Sequence, residues 1–153
     1  MTPTGQQWHL RPGQGKDRAA CEALLLKHFQ KEFDRYAIQW HSDRFALDWV
    51  EGHPTVACHE DQLLGFALWQ EGRSPQTAWL HSVHVGTRYR LRGLGRALMR
   101  HVEAEALAAG RYVMELAVFE QSPAFYWYQK LGYARVGEPY FQTQLRKRLA
   151  DDR

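Results

Sequence analysis

The sequence predicts a mixed α/β fold built on a single sheet, and three observations carry that prediction. Apolar runs of β type at residues 55–59, 63–69 and 78–85 follow one another with only short polar or Gly/Pro breaks, as consecutive antiparallel strands do. From residue 78 onward the pattern becomes strand, helix, strand, helix, strand, the order that builds a parallel or mixed sheet with helices packed on it. A length of 153 residues suits one domain spanning 1–153, large enough to bury a core without disulfides.

Taken in order, Trp8 to Arg11 reads as a short strand ended by Pro12-Gly13. Asp17 offers an N-cap to a helix whose Cys21, Leu24, Leu25, His28 and Phe29 recur at helical spacing. From Gln30 to His41 the period fades into an aromatic stretch compatible with core packing or with a pocket wall. A second helix is expected from Ser42 or Asp43 to Gly52, with Phe45, Ala46, Trp49 and Val50 facing inward. The runs at 55–59 and 63–69 form a hairpin over Glu60-Asp61-Gln62, and Gly72 to Pro75 punctuates the chain before the strand from Ala78 to Val85.

A helix from about Leu94 to Ala109 follows, its Leu94, Leu98, Val102 and Ala106 recurring every fourth residue, and Gly110 ends it. Tyr112 to Val118 is almost wholly apolar, as a central strand covered on both faces must be, with Glu115 its only charge. Ser122-Pro123 supplies an N-cap and a first-turn proline to a helix closed by Gly132. Tyr133 to Val136 and Phe141 to Leu145 are the last strands.

Composition narrows the function classes. A net charge of +3 and a pI near 9.0 suit an anionic ligand, but the charge is too dispersed to predict a nucleic-acid partner. The densest basic run, Arg146-Lys147-Arg148, reads as a solvated tail. No apolar run approaches the roughly 18 residues of a membrane span, and the N-terminal segment lacks a signal pattern, so no membrane partner and a cytoplasmic location are expected. Cys21 and Cys58 read as reduced packing thiols.

The informative stretch is Trp79 to Arg96, where an apolar strand enters a turn carrying Arg88, Arg90 and Arg92, then Gly93-Leu94-Gly95 and a helix. The first N–H groups of that helix lack intrahelical acceptors and lie at the positive end of its dipole, so the turn suits a phosphate. Dinucleotide binding is one use of such a turn, with Glu115 some twenty residues beyond Gly95. Leu98 at the third glycine position, Glu115 in mid-strand and the long antiparallel segment ahead of the motif count against it.

The other use fits more of the chain. Arg90-Leu91-Arg92-Gly93-Leu94-Gly95 matches the R/Q-x-x-G-x-G/A motif of the GNAT superfamily of acetyl-CoA-dependent N-acetyltransferases, and Val83-His84-Val85 resembles the L-x-V that precedes it. Tyr128-Gln129-Lys130-Leu131-Gly132-Tyr133 resembles the Tyr-x-x-x-Gly-Phe that closes the last long helix of that family. The resemblance implies the GNAT fold: one mixed, mostly antiparallel sheet, splayed between its two central strands by a bulge and flanked by about four helices. It also implies acetyl-CoA as co-substrate, with no metal.

Carried over by position, the resemblance implies that Arg90 belongs to the cofactor-binding turn and that backbone N–H groups at Leu91, Arg92, Gly93, Leu94, Gly95 and Arg96 hold the pyrophosphate. Val85 meets the pantetheine arm, and Val83 donates to the thioester carbonyl oxygen, a catalytic oxyanion contact. Tyr128 takes the place of the general acid that protonates the departing thiolate, and Tyr126 is the lesser candidate because Gly132-Tyr133 fixes the register. The family often has Asn where this chain has Gln121, three residues before Ala124, and Ser122 is the substitute contact to the pantetheine.

Leu80-His81-Ser82-Val83-His84-Val85 is locally similar to the arylalkylamine N-acetyltransferases, which place a histidine at the position of His81. His81 is therefore a candidate base or a pocket-lining residue, and Glu120 is the reserve base. Alternation along a strand puts His81 and His84 on opposite faces. Phe33, Tyr36 and Trp40, with Glu32 and Asp34, and Tyr140 in the Glu138–Phe141 loop are the expected acceptor pocket. That pocket would suit a cationic small-molecule or peptide amine. A GNAT-fold module that binds acyl-CoA without catalysis is the alternative, and a homodimer through the C-terminal strands is left open.

Overall fold

The computed structural model describes residues 8–87, 93–120, 122–138 and 142–150. Its strands are β1 (His9–Pro12), β2 (His53–His59), β3 (Gln62–Glu71), β4 (Thr77–Val85), β5 (Val113–Phe119), β6 (Ala134–Val136) and β7 (Gln142–Arg148). The helices are α1 (Arg18–Arg35), α2 (Ser42–Glu51), α3 (Leu94–Ala108) and α4 (Pro123–Lys130), with a short 3₁₀ turn at Gly15–Asp17 ahead of α1. All seven strands join one sheet in the order β1-β2-β3-β4-β5-β7-β6. Among the described residues only the β4–β5 pair is parallel.

The helices divide the core in two. On one sheet face, α1 and α2 cover Val56, Cys58, Phe66 and Leu68 with Cys21, Leu25, Phe45 and Trp49. On the other, α3 and α4 set Leu94, Leu98, Val102, Phe125 and Tyr128 against Ala67, Trp69, Leu80, Met114 and Leu116. β5 is buried along most of its length because it lies between two strands and under helix on its inner face.

Several local expectations are corrected. α1 runs through Arg35, past the point where its apolar period fades, because Phe33 continues the packed side of Leu25 and Phe29 beyond Gln30. Asp17 does not cap α1 with its side chain; Arg11 holds its two carboxylate oxygens at 2.8 and 2.9 Å. In α2 the buried positions are Phe45, Asp48 and Trp49, whereas Val50 is 78% exposed. The run Arg146-Lys147-Arg148 is part of β7 and no solvated tail: Arg146 pairs with the buried Glu115 at 2.6 Å and Lys147 with Glu103 at 3.1 Å. Cys21 and Cys58 are buried free thiols.

Candidate active site

The site is organised by a failure of pairing in mid-sheet. β4 and β5 are in register only at Thr77–Trp79 opposite Val113–Glu115. Past that point Leu80–Val85 and Leu116–Phe119 have no ladder with each other among the described residues, and the sheet opens into a gap. A bulge accompanies the opening. Trp69 pairs with Leu80 and Leu68 with Ser82, so His81 is the extra residue in β4.

The bulge sets which backbone groups face the gap. Backbone groups of alternate residues point to the same side of a strand. At the start of β4 even-numbered residues face β5, since the Gln76 carbonyl accepts from Val113 N–H at 3.1 Å. One inserted residue reverses the order, and Gly86 N–H accordingly donates to the Leu64 carbonyl on the β3 side at 2.8 Å. Val83 and Val85 therefore direct their N–H groups into the gap.

The same insertion corrects the expectation that His81 and His84 lie on opposite faces. His84 packs on Phe66 and Phe29, and His81 packs on Phe45, so both lie on the side covered by α1 and α2. Simple alternation fails because the bulge adds one residue between Leu80 and Ser82. His84 is buried and its Nδ1 lies 2.8 Å from the Nδ1 of His28 on α1. Among the described residues no group of three His, Cys, Asp or Glu side chains is arranged to hold a metal ion.

At the far end of the gap stands the N-terminus of α3. Its N-cap, Gly93, is left-handed with φ +79, a conformation glycine adopts without Cβ strain. The Gly93 carbonyl accepts from Ala97 N–H, so the N–H groups of Leu94, Gly95 and Arg96 precede the first helical bond. Gly95 is crowded for a different reason: a Cβ there would lie 3.2 Å from Trp127 Cζ2, tighter than an ordinary contact, and 3.7 Å from Val85 Cγ2. The helix end is thus wedged between the end of β4 and α4. Leu94 is buried in the α3 core and Arg96 is exposed. Arg90, Leu91, Arg92, Gln121, Tyr140 and Phe141 lie outside the described residues.

Tyr128 is on the buried face of α4, its ring 5.0 Å from that of Trp127 and 5.7 Å from that of Tyr133. Burial pushes its phenol well above the usual tyrosine range, and its hydroxyl has no hydrogen-bond partner among the described residues. Tyr126, by contrast, is 52% exposed. Ser122 caps α4, its Oγ accepting from Phe125 N–H at 3.3 Å, which still leaves its O–H as a donor. The reserve base Glu120 is paired: Arg135 Nη2 lies 2.7 Å from one oxygen, while the other is buried with no hydrogen-bond partner among the described residues.

His81 has a defined setting. Its Nε2 is 3.3 Å from Oδ2 of Asp48 on α2, and its Nδ1 is 2.5 Å from the Ser82 hydroxyl. Burial lowers its pKa below the ordinary histidine value, opposed by the Asp48 carboxylate, so the ring is neutral at neutral pH. Sequence reasoning missed Asp48 and Ser82. A signal for Asp48 was present, since it shares the spacing of Phe45 and Trp49 and is a charge on the apolar side of α2. Ser82 had none, because its direction depends on the bulge.

Of the acceptor-pocket residues, Tyr36 stacks on Phe119 at the end of β5 with ring centroids 5.7 Å apart. Phe33 stacks on Trp40, whose indole N–H donates to Glu22 at 2.7 Å. Phe33 and Trp40 thus pack against the α1–α2 core, and Tyr36 stands at the open end of β5.

A model of the acetyltransferase (GNAT) family matches residues 20–133. The chain belongs to that family. No curated protein matches it in sequence. Solved GNAT-like structures match over nearly the whole chain. YncA of Salmonella typhimurium, solved with its cofactor acetyl-CoA, is 20% identical with a TM-score of 0.77, covering 96% of each chain. The ribosomal-protein-S18-alanine N-acetyltransferase of Escherichia coli is 20% identical with a TM-score of 0.72, over 95% of this chain and 96% of that one. The PaiA N-acetyltransferase of Thermoplasma acidophilum, in complex with coenzyme A, is 15% identical with a TM-score of 0.74, over 92% and 98%. At these identities the structures establish the shared GNAT fold.

Proposed function

We propose that this GNAT domain transfers the acetyl group of acetyl-CoA to a primary amine by direct attack of the amine on the thioester. The observation that carries the reading is the gap between β4 and β5, with Val83 and Val85 N–H groups turned into it and the α3 N-terminus at its end.

The residues present fit acetyl-CoA. A pantetheine arm needs hydrogen-bond partners for its amides, and the open edge of β4 offers unpaired backbone donors and acceptors that would otherwise be costly to leave buried. A pyrophosphate needs converging N–H groups, which Gly93 to Arg96 supply, with Arg90, Leu91 and Arg92 proposed to complete the cradle. Acetyl-CoA contributes an acyl group activated on sulfur. The chain contributes a donor at Val83 N–H for the carbonyl oxygen and a protonated phenol at Tyr128 for the departing sulfur. His81, kept neutral by burial, is the proposed proton acceptor for the amine. Tyr36, with Phe33 and Trp40 behind it, is proposed to border the acceptor site.

The decisive assay follows free thiol release from acetyl-CoA across a panel of arylalkylamines, peptides and aminoglycosides. Release that depends on one class of amine is expected; tight acetyl-CoA binding without release on any amine would instead identify a non-catalytic acyl-CoA-binding module. Tyr128→Phe is expected to lower kcat on the order of 10²-fold, the usual contribution of a general acid, with acetyl-CoA affinity unchanged. An unaltered kcat would remove Tyr128 from its role.

A further inference from the structure

His81 cannot receive a proton directly from a bound amine, because both of its ring nitrogens are occupied within the protein. Nε2 faces the Asp48 carboxylate at 3.3 Å, and a carboxylate only accepts, so Nε2 carries the hydrogen. Nδ1 is then a bare lone pair, and the partner 2.5 Å away, Ser82 Oγ, must donate to it. The serine oxygen keeps its own lone pairs. Asp48 is 6% and Ser82 5% exposed, while the His81 side chain between them keeps 19%, so the three groups form a continuous, largely buried line from α2 to β4. Beyond them, Arg44 Nε holds the other Asp48 oxygen at 3.2 Å.

We propose that Asp48, His81 and Ser82 form a proton relay, in which Asp48 is a positioning residue for the imidazole and the Ser82 hydroxyl is its outlet toward the amine. The inference rests on the acetyl-transfer reading for its substrate. As an ammonium group loses a proton to Ser82 Oγ, the hydroxyl proton passes to His81 Nδ1, giving an imidazolium held by Asp48. That imidazolium returns its proton to solvent. The neutral nitrogen then forms the N–C bond as the C–S bond breaks; its second proton leaves by the same Ser82–His81 route, and Tyr128, having given its proton to the departing sulfur, is reprotonated from solvent.

The relay follows from the bulge. In a regular β4, His81 and Ser82 would point to opposite faces and could not bond side chain to side chain; with His81 as the extra residue they share the face that α2 covers. The charged groups facing His81 among the described residues are Asp48 and Arg44, both from α2. Phe45 covers the ring, Leu68 faces Ser82 from β3, and the titratable pair His28 and His84 lies farther along the same face.

The test uses the whole chain and begins with a readout independent of turnover. Long-range ¹H–¹⁵N NMR of the imidazoles, assigned with His81→Gln, should show His81 as the Nε2–H tautomer. Asp48→Asn keeps an acceptor for that hydrogen but removes the charge, so the His81 titration should move down by about 1–3 pH units, the usual effect of a nearby opposite charge. An Nδ1–H tautomer, or a titration unmoved in Asp48→Asn, overturns the Asp48 role whether or not the protein turns over any amine. With an accepted amine, the acid limb of kcat/KM should shift down in Asp48→Asn in step with the NMR titration. Ser82→Ala should lose on the order of 10²-fold in kcat/KM with acetyl-CoA affinity retained, and Ser82→Thr should recover most of it. Full activity in Ser82→Ala overturns the relay. Absence of acetyl transfer by the wild-type chain, with the NMR results as expected, counts against the proposed reaction and leaves the Asp48–His81 link standing.

Discussion

At the scale of residues, one insertion governs the chemistry. His81 is the extra residue of β4, and its presence turns Val83 and Val85 N–H groups into the gap while placing His81 beside Ser82 and under Asp48. Gly93 and Gly95 act one residue apart for unrelated physical reasons. A side chain at 93 meets open space but not a tolerated φ, so Gly93→Ala should cost about 1–2 kcal/mol, the left-handed penalty for an L-residue. Urea denaturation measures this, and a variant as stable as the parent would show that the N-cap can relax. Gly95 has ordinary helical geometry, and its limit is the Trp127 ring 3.2 Å from any added Cβ.

Elements show where sequence reasoning reaches its limit. α3 is legible because Leu94, Leu98, Val102 and Ala106 keep strict helical spacing and Gly110 closes it with φ +84. α4 is legible from Ser122-Pro123 and Gly132. β4 is legible as a strand but not as a bulged one: nothing local in Trp79-Leu80-His81-Ser82 marks the extra residue, and alternation therefore misassigned His81 relative to His84. β7 is legible as a strand up to Leu145, but its end, Arg146-Lys147-Arg148, reads as a solvated tail because the partners of Arg146 and Lys147, Glu115 on β5 and Glu103 on α3, are distant in sequence. Asp48 was passed over for Val50 because an apolar residue outranks a carboxylate when a face is chosen by composition. Motif residues, by contrast, identified the ends of the gap, since glycine and proline report backbone requirements that no tertiary contact can hide.

For the whole molecule, the buried titratable groups predict how stability varies with pH. His81 has a folded pKa below its unfolded value near 6.5, so the unfolded chain binds more protons as the medium becomes acidic. Its contribution is complete above about pH 6.5 and is lost as pH falls through the folded value. Tyr128 and Tyr133 are raised, chiefly by burial, so their contribution holds below about pH 10 and is lost as pH rises above it. Unfolding free energies from urea titrations should therefore plateau between these limits. Tyr128→Phe should flatten the alkaline decline; a decline of unchanged steepness would mean that Tyr128 does not contribute to it.

Acetyl transfer depends above all on the β4–β5 gap being a coenzyme A site, and isothermal titration of the intact chain with acetyl-CoA tests that most directly. Saturable binding at a single site per chain is expected, weakened in Gly95→Ala, where the added Cβ presses the α3 N-terminus away from Trp127. No heat of binding up to high micromolar acetyl-CoA would contradict it.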